Sequence, residues 1–166
     1  GNLECAESYF NRALSVNRSA ADAHFNRGLL YLACEKFELG WQDYEWRLQW
    51  DTAIKQGQSK SVDRLAPDWK GQHTQQPILV VPEQGLGDQI FYSGMLVDLQ
   101  QTIPGSTVCT VPRLIDLFSR SFQSLHFVTP EQINNNQQLY KHQFSAQVHL
   151  GSLGKFFRSA EKDFQR

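Results

Sequence analysis

The fold is decided by the stretch Ile78-Leu79-Val80-Val81-Pro82-Glu83-Gln84-Gly85-Leu86-Gly87-Asp88-Gln89-Ile90. Its first four residues are apolar, and Val and Ile dominate them, which is typical of a short strand buried on both faces of a parallel sheet. A loop with two glycines follows, and an apolar pattern of helical length begins near Asp88. We therefore predict a strand, a loop and a helix, the first unit of an α/β fold whose ligand lies beyond the C-terminal end of the strand.

The loop after this strand has the features of a ligand-binding turn. Gly85 and Gly87 can adopt positive φ and carry no Cβ, so the backbone can approach a ligand. The start of the following helix adds unpaired N–H groups and a partial positive charge, which suit an anion. Asp88 stands at that helix start, where a carboxylate suits a base that takes a proton from an acceptor hydroxyl.

Two common glycine-rich loops are disfavoured by the residues around these glycines. A phosphate-binding P-loop needs a lysine after its last glycine, whereas Asp88 follows Gly87 here. The dinucleotide fingerprint needs a third glycine where Ile90 stands, and an acid at the end of the next strand, where Val111-Pro112 stands. The sequence therefore disfavours a nicotinamide or flavin enzyme.

Composition narrows the class of protein further. The chain has 166 residues, 16 basic and 17 acidic, with no basic stripe, so nucleic acid is not an expected partner. Cys5, Cys34 and Cys109 are widely spaced and form no metal motif, which predicts no metal and fits a reducing cytoplasm. There is no signal-peptide pattern and no apolar run near the ~20 residues of a membrane helix, so we expect a cytoplasmic protein without a transmembrane segment.

Residues 1–50 carry three amphipathic helical segments, each with one apolar stripe. Ala6 and Phe10 in the first segment correspond to Gly40 and Tyr44 in the third, at an offset of 34 residues. This period and the helix-turn-helix grouping are the signature of tetratricopeptide repeats. The segment therefore resembles one and a half such repeats, beginning with the second helix of an incomplete one.

In the tetratricopeptide-repeat family the first helix of each repeat lines a concave groove that binds peptides. Gly28 and Tyr31 occupy the small and aromatic positions of that helix. The resemblance implies peptide contacts at five positions: Asp22, Phe25, Asn26, Leu29 and Ala33. Arg27 and Arg47 depart from the family pattern, which has leucine and alanine there, and Arg47 indicates the last repeat. A purely structural role stays open, because roughly three repeats are needed to build a stable array.

The rest of the chain divides into a linker and an α/β domain. Residues 51–76 are polar and contain turn-forming residues, which predicts a surface linker in which Trp69 anchors into a neighbouring apolar surface. Residues 77–166 alternate between strand and helix patterns, with further strands at Thr107–Val111 and Leu125–Val128. This order predicts right-handed crossovers and a parallel sheet.

The string from Glu83 to Gln89, after a repeat ending Tyr44-Glu45-Trp46-Arg47 and a connector with Pro67-Asp68-Trp69-Lys70-Gly71, resembles one family. It is the family of bacterial tetratricopeptide-repeat proteins with a C-terminal glycosyltransferase-like domain. The α/β half is similar to the acceptor-side domain of two-domain, inverting glycosyltransferases of the heptosyltransferase (GT-B) type. The resemblance implies an α plus α/β fold, in which repeat helices precede a partial Rossmann-like parallel sheet.

The same resemblance implies roles for the loop residues. Asp88 is the expected catalytic base, and the loop that contacts the substrate is Glu83, Gln84, Gly85, Leu86 and Gly87. The resemblance implies a nucleotide sugar as the donor substrate, no cofactor, and a protein or peptide bound by the repeats. The residues alone leave open that Asp88 caps the helix instead, because a carboxylate there can accept bonds from the N–H groups of the first turn.

Two expectations concern activity. Glycosyltransferases of this type bind the donor mainly through a second α/β domain of on the order of 100 residues, for which this chain has no room. We therefore expect the chain to be inactive by itself and its activity to belong to a longer parent protein. The alternative function is a non-catalytic scaffold, in which the repeats bind a protein and the α/β domain is vestigial.

Overall fold

The computed structural model describes residues 3–49, 62–82 and 85–165. The chain forms two compact units, one of helices and one built on a sheet. The helical unit contains residues 3–49 and 154–165, and the sheet unit contains residues 62–82 and 85–153. These units differ from the predicted division at residues 50 and 77, because the described part of the predicted linker belongs to the sheet unit. Residues 154–165, predicted to continue the sheet domain, belong to the helical unit.

The helical unit begins with three helices, α1 (Leu3–Val16), α2 (Ala21–Ala33) and α3 (Phe37–Tyr44). Helix α2 packs against both of the others. Two glycines set the distance between α2 and α3. A Cβ at Gly28 would lie 2.7 Å from the Tyr44 backbone nitrogen, and a Cβ at Gly40 would lie 2.8 Å from the Leu32 side chain. The helix backbones are therefore almost in contact, and only glycine fits at these positions.

A buried carboxylate holds α2 to α3 through two polar side chains. Asp43 is 7% exposed and accepts hydrogen bonds from Arg27 at 2.6 Å and 3.1 Å. His24 lies 2.8 Å from the same carboxylate and stacks on the Trp46 ring at 4.0 Å between centroids. Bonding to Asp43 raises the pKa of the Arg27 guanidinium. Arg27, which departs from the repeat pattern, therefore compensates a buried charge that would otherwise be costly.

Arg47, the second departure from the repeat pattern, is also buried. Its side chain is 1% exposed and donates to the Glu45 carboxylate at 2.9 Å and to the Tyr44 carbonyl at 3.2 Å. Its guanidinium lies over the Tyr44 ring, 4.4 Å from the centroid, in a cation–π contact. The side chain thus holds the turn at residues 45–46 against the end of α3, and residues 47–49 are helical again.

The turn between α2 and α3 is a Schellman motif with an unusual residue. The Lys36 N–H donates to the Tyr31 carbonyl at 2.9 Å, and the Glu35 N–H donates to the Leu32 carbonyl at 3.1 Å. Glu35 has φ of 60°, in the left-handed region, where glycine is the usual residue. The helix is therefore terminated at the cost of some backbone strain.

Replacing Glu35 by glycine is expected to stabilise the helical unit by roughly 0.5 to 1 kcal/mol. The substitution relieves the left-handed strain, and the greater entropy of glycine in the unfolded chain offsets part of the gain. Glu38→Gly, in the exposed first turn of α3, is the matched control and is expected to destabilise the unit by a similar amount. Hydrogen exchange of the α2 and α3 amides measures both, and slower exchange is expected only for Glu35→Gly.

The sheet unit contains four parallel strands in the order β3-β2-β1-β4. The strands are β1 (Ile78–Val81), β2 (Thr107–Cys109), β3 (His126–Val128) and β4 (Ala146–His149). All four residues of β1 are buried, as predicted for a central parallel strand. The predicted combination of helices with a parallel α/β sheet is confirmed.

The helices of the sheet unit follow the predicted alternation. The glycine loop leads into α4 (Leu86–Tyr92), a 3-10 turn (Ser93–Met95) and α5 (Leu96–Thr102). After β2 comes α6 (Pro112–Ser121), with proline in its first turn. After β3 come the short helices α7 (Pro130–Asn135) and α8 (Gln137–Tyr140), and a 3-10 turn (Leu150–Leu153) follows β4. None of the helices in the described ranges is long and apolar enough to cross a membrane.

The described part of the predicted linker, residues 62–76, lies along the edge of the sheet. Trp69 donates its backbone N–H to the Gln147 carbonyl at 2.7 Å, and Gln147 donates its own to the Pro67 carbonyl at 2.7 Å. The Gln147 side chain accepts the N–H groups of Leu65 and Ala66. The segment therefore covers the edge of β4, and Trp69, at 5% exposed, is buried.

Cys109, at the end of β2, lies inside the core of the sheet unit. It belongs to a cluster whose members are Ala66, Leu79, Val81, Cys109, Ile133 and Phe144. Burial raises the pKa of the Cys109 thiol to about 12, and the negative charge of Glu131 adds to the shift. The thiol is therefore protonated at neutral pH and acts as a small apolar side chain.

We expect iodoacetamide at pH 8 to alkylate Cys5 in the folded protein and to leave Cys109 unmodified. Cys5 is exposed, whereas Cys109 is buried and protonated, and the thiolate is the reactive form. Peptide mass spectrometry before and after denaturation measures the two sites in one sample. Alkylation of both cysteines at the same rate in the folded protein would contradict the burial of Cys109.

Candidate functional site

The candidate site lies where the strand order of the sheet reverses. The chain proceeds from β1 outward through β2 to β3 and then returns to place β4 on the other side of β1. In open α/β sheets this reversal leaves a crevice beyond the carboxyl ends of the two strands. The glycine loop and α4 follow β1, the 3-10 turn Leu150–Leu153 follows β4, and α4 and this turn are in contact. The sheet topology therefore puts the predicted loop at the edge where α/β proteins bind ligands.

Asp88 is the third residue of α4 and its carboxylate turns back toward the loop. The Gly85 N–H donates to Oδ2 of Asp88 at 3.0 Å. Among the described residues, none donates a hydrogen bond to Oδ1, and the side chain is half-buried. The helix cap left open by the sequence is found in a different form: Gly85, not Asp88, is the N-cap residue, and Asp88 is the third helical residue whose carboxylate accepts the N-cap N–H. One carboxylate oxygen of Asp88 therefore holds the Gly85 N–H.

The two glycines of the loop do not use the conformation that the sequence predicted for them. Gly85 has φ of −84°, and neither Gly85 nor Gly87 has positive φ. The prediction is wrong because α4 begins at Leu86, so Gly85 is extended and Gly87 is already helical. The other predicted feature of these glycines, the absence of a Cβ, still applies. A Cβ at Gly87 would meet no atom of the described residues within 4 Å, so the backbone there lies open.

The other three predicted loop residues are Glu83, Gln84 and Leu86. Glu83 and Gln84 lie outside the described residues. Leu86, the first residue of α4, is 39% exposed and flanks the open backbone at Gly87. The structure thus brings Gly85, Leu86, Gly87 and Asp88 together at one end of the sheet.

Gln89 is the residue of this site that sequence reasoning missed. It is 2% exposed, and its side-chain oxygen accepts from the Thr110 hydroxyl at 2.7 Å and from the Val111 N–H at 3.2 Å. These bonds fix the start of α4 to the end of β2, and therefore orient Asp88 on the preceding position. The sequence feature that could have indicated this role is a polar residue directly after Asp88, where the helix begins to bury its apolar side.

The predicted peptide-contacting residues share one face of α2. Asp22, Asn26, Leu29 and Ala33 are all exposed. Phe25 is half-buried, because its ring packs against Tyr44 at 5.4 Å between centroids. The Asn26 side chain donates to the Asp22 carbonyl at 2.8 Å, so part of its polar capacity is used within the helix. These residues form a continuous exposed stripe of mixed polarity, and the half-buried Phe25 lies at its edge.

Comparison with known proteins found no relative, so any inference about function depends on the fold and on the geometry of this site. No protein-family model, no curated protein and no solved structure matches the chain. Within the described ranges no group of three or more His, Cys, Asp or Glu side chains is placed to hold a metal ion.

Proposed function

We propose that this chain supplies the acceptor-side domain of a sugar-nucleotide-dependent, inverting glycosyltransferase, joined to tetratricopeptide-like helices that bind a protein. The observation that carries the proposal is the position of Asp88. It is a half-buried carboxylate in the first turn of the helix that follows the central strand, at the reversal of strand order. Catalytic groups of α/β enzymes are found at this edge of the sheet.

In this proposal Asp88 acts as the general base for the acceptor hydroxyl. Its Oδ2 is held by the Gly85 N–H at 3.0 Å, which limits the rotation of the carboxylate. Oδ1 accepts the proton of the acceptor hydroxyl while the hydroxyl oxygen attacks the anomeric carbon from the face opposite the nucleoside diphosphate. The bond to the diphosphate breaks as the new glycosidic bond forms, so the configuration inverts.

The surroundings of Asp88 support a role beyond capping. A helix cap needs no glycine at the second helical position, where glycine costs about 1 kcal/mol relative to alanine. Gly87 occupies that position although a Cβ there would meet nothing within 4 Å among the described residues. A bulky substrate passing over the backbone is one reason to keep this position bare. Gln89 holds the same helix start against β2, which keeps the carboxylate in place.

A non-catalytic scaffold is the second candidate, and one observation favours it. The stripe formed by Asp22, Asn26, Leu29 and Ala33 lies exposed along α2. A peptide laid along this stripe would bind by side-chain contacts alone. In a scaffold Asp88 is only a cap, and the sheet unit has no catalytic role.

The two functions are separated by an assay of the full-length protein that contains this chain. The purified protein is incubated with a panel of nucleotide sugars, and release of nucleoside diphosphate and transfer to added acceptors are followed by mass spectrometry. The enzyme proposal expects release that depends on one donor. The scaffold function predicts that the protein neither binds nor hydrolyses any nucleotide sugar in the panel. It also predicts that the protein binds a partner protein and that Leu29→Glu abolishes this binding.

A further inference from the structure

The face of α3 that carries Phe37 and Trp41 is covered by residues 154–165 of the same chain. The Trp41 indole N–H donates to the Arg158 carbonyl at 2.7 Å. The rings of Phe37 and Phe164 lie 4.6 Å apart between centroids. Trp41 is 7% exposed. A segment distant in sequence therefore buries the aromatic side of α3.

Gly154 makes this contact possible. A Cβ at Gly154 would lie much closer to three carbon atoms of the Trp41 indole than van der Waals contact allows. The indole therefore lies directly against the backbone at this position, and any other residue would push it away. The glycine has a packing role here, because the 3-10 turn before it and Gly154 itself are buried.

The covering segment is amphipathic and has little stability of its own. It contains a four-residue helix, α9 (Gly154–Phe157), and a four-residue 3-10 turn, Glu161–Phe164. Isolated helices of this length do not form in water, so contact with α3 must supply the stability. The outward positions are polar and exposed, and they are Lys155, Ser159, Glu161 and Lys162. Asp163 closes the last turn by accepting the Ala160 N–H at 2.9 Å.

We propose that residues 154–165 are an intramolecular cap that fills the Phe37–Trp41 face of α3 and so prevents a further helix, from a second copy of this chain, from packing there. Stacked helical arrays expose an apolar face at each end, and a terminal element with a polar outer side is needed to keep them soluble. The segment is suited to this role, because its charged residues Lys155, Glu161 and Lys162 are exposed, while Phe156 and Phe157 are half-buried and Phe164 keeps one side on Phe37.

The order of the chain gives this cap a consequence for folding. Residues 60–153, the sheet unit, lie in sequence between α3 and the cap. The helical unit is therefore closed only after the whole sheet unit has been synthesised. Until then Phe37 and Trp41 are an exposed aromatic pair of the kind that drives self-association.

The test uses the whole chain and the indole N–H of Trp41, identified in an NMR spectrum by its disappearance in Trp41→Phe. Gly154→Val should accelerate solvent exchange of this N–H about tenfold, as expected when one buried hydrogen bond is lost. Sedimentation should show concentration-dependent association of the same variant. Gly94→Val is the matched control, because a Cβ at Gly94 meets no described atom within 4 Å. Wild-type exchange and sedimentation in Gly154→Val would overturn the proposal.

A second pair of variants keeps the test decisive if Gly154→Val does not fold. Phe164 is 50% exposed, so Phe164→Ala removes its contact with Phe37 without opening a core. This variant should accelerate exchange of the Trp41 indole N–H several-fold. Leu139→Ala, at a position 67% exposed in the sheet unit, should leave it unchanged. Equal exchange in both variants, or exchange of the wild-type indole at the rate of free tryptophan, would overturn the cap.

Discussion

If the full-length protein is the proposed glycosyltransferase, Asp88→Asn is expected to lower its turnover by about two to four orders of magnitude, the range for loss of a positioned general base. Asparagine keeps an oxygen that can accept the Gly85 N–H, so the loop and α4 should fold as before. It cannot take a proton from the acceptor hydroxyl. The substitution therefore separates the catalytic role of the side chain from its capping role, and kcat measured with saturating donor and acceptor reports the difference.

The control for Asp88→Asn is Asp116→Asn, which removes an exposed carboxylate from α6 in the same sheet unit. This variant should have the turnover of the wild-type protein. Circular dichroism and hydrogen exchange of the α4 amides should be alike in all three proteins. If Asp88→Asn kept wild-type turnover, Asp88 would be a helix cap only.

Gly28→Ala is expected to destabilise the helical unit by about 3 kcal/mol, near the upper end for overpacking. The added Cβ would lie 2.7 Å from the Tyr44 nitrogen and 3.0 Å from both the Asp43 carbonyl carbon and the Gly40 oxygen. All three are backbone atoms, so no side-chain rotation relieves the clash and α3 must move away from α2. That movement would also stretch the bonds between Arg27 and Asp43.

The intrinsic helix propensity of alanine predicts the opposite effect for Gly28→Ala. Alanine is favoured over glycine inside a helix by about 1 kcal/mol, so propensity alone predicts stabilisation. Gly94→Ala, with open space around the new Cβ, supplies this reference and should be neutral or slightly stabilising. Because the chain has two units, exchange of the α2 and α3 amides is the appropriate measure. Equal exchange in the two variants would mean that the helices are not in close contact.

The central strand and the alternation of strands and helices could be predicted from the sequence because each rests on a local pattern. The four consecutive apolar residues of β1 and the proline at the start of α6 are such patterns, because each depends only on residues that are adjacent in sequence. The position of β4 beside β1 could not be predicted in this way, since it depends on which edge of the sheet remains open after β2 and β3 have packed.

The segments that sequence reasoning misplaced are held by contacts across long sequence distances. Gln147 binds residues 65–69, and Trp41 binds Arg158, so neither partner has a local pattern that reveals its role. A glycine pair was interpreted as a left-handed loop, whereas the early start of α4 removes the need for positive φ. Asp88 was recognised through its place after the glycines, but its bond to Gly85 required coordinates.

The proposed removal of a proton from the acceptor by the Asp88 carboxylate is tested most directly by chemical rescue of Asp88→Ala in the full-length protein. This variant lacks the carboxylate and leaves space for a small one. Transfer of sugar by the variant should be very slow and should rise with added sodium formate, which supplies a diffusible base, while the wild-type rate stays constant. Wild-type turnover by Asp88→Ala without any response to formate would contradict the account.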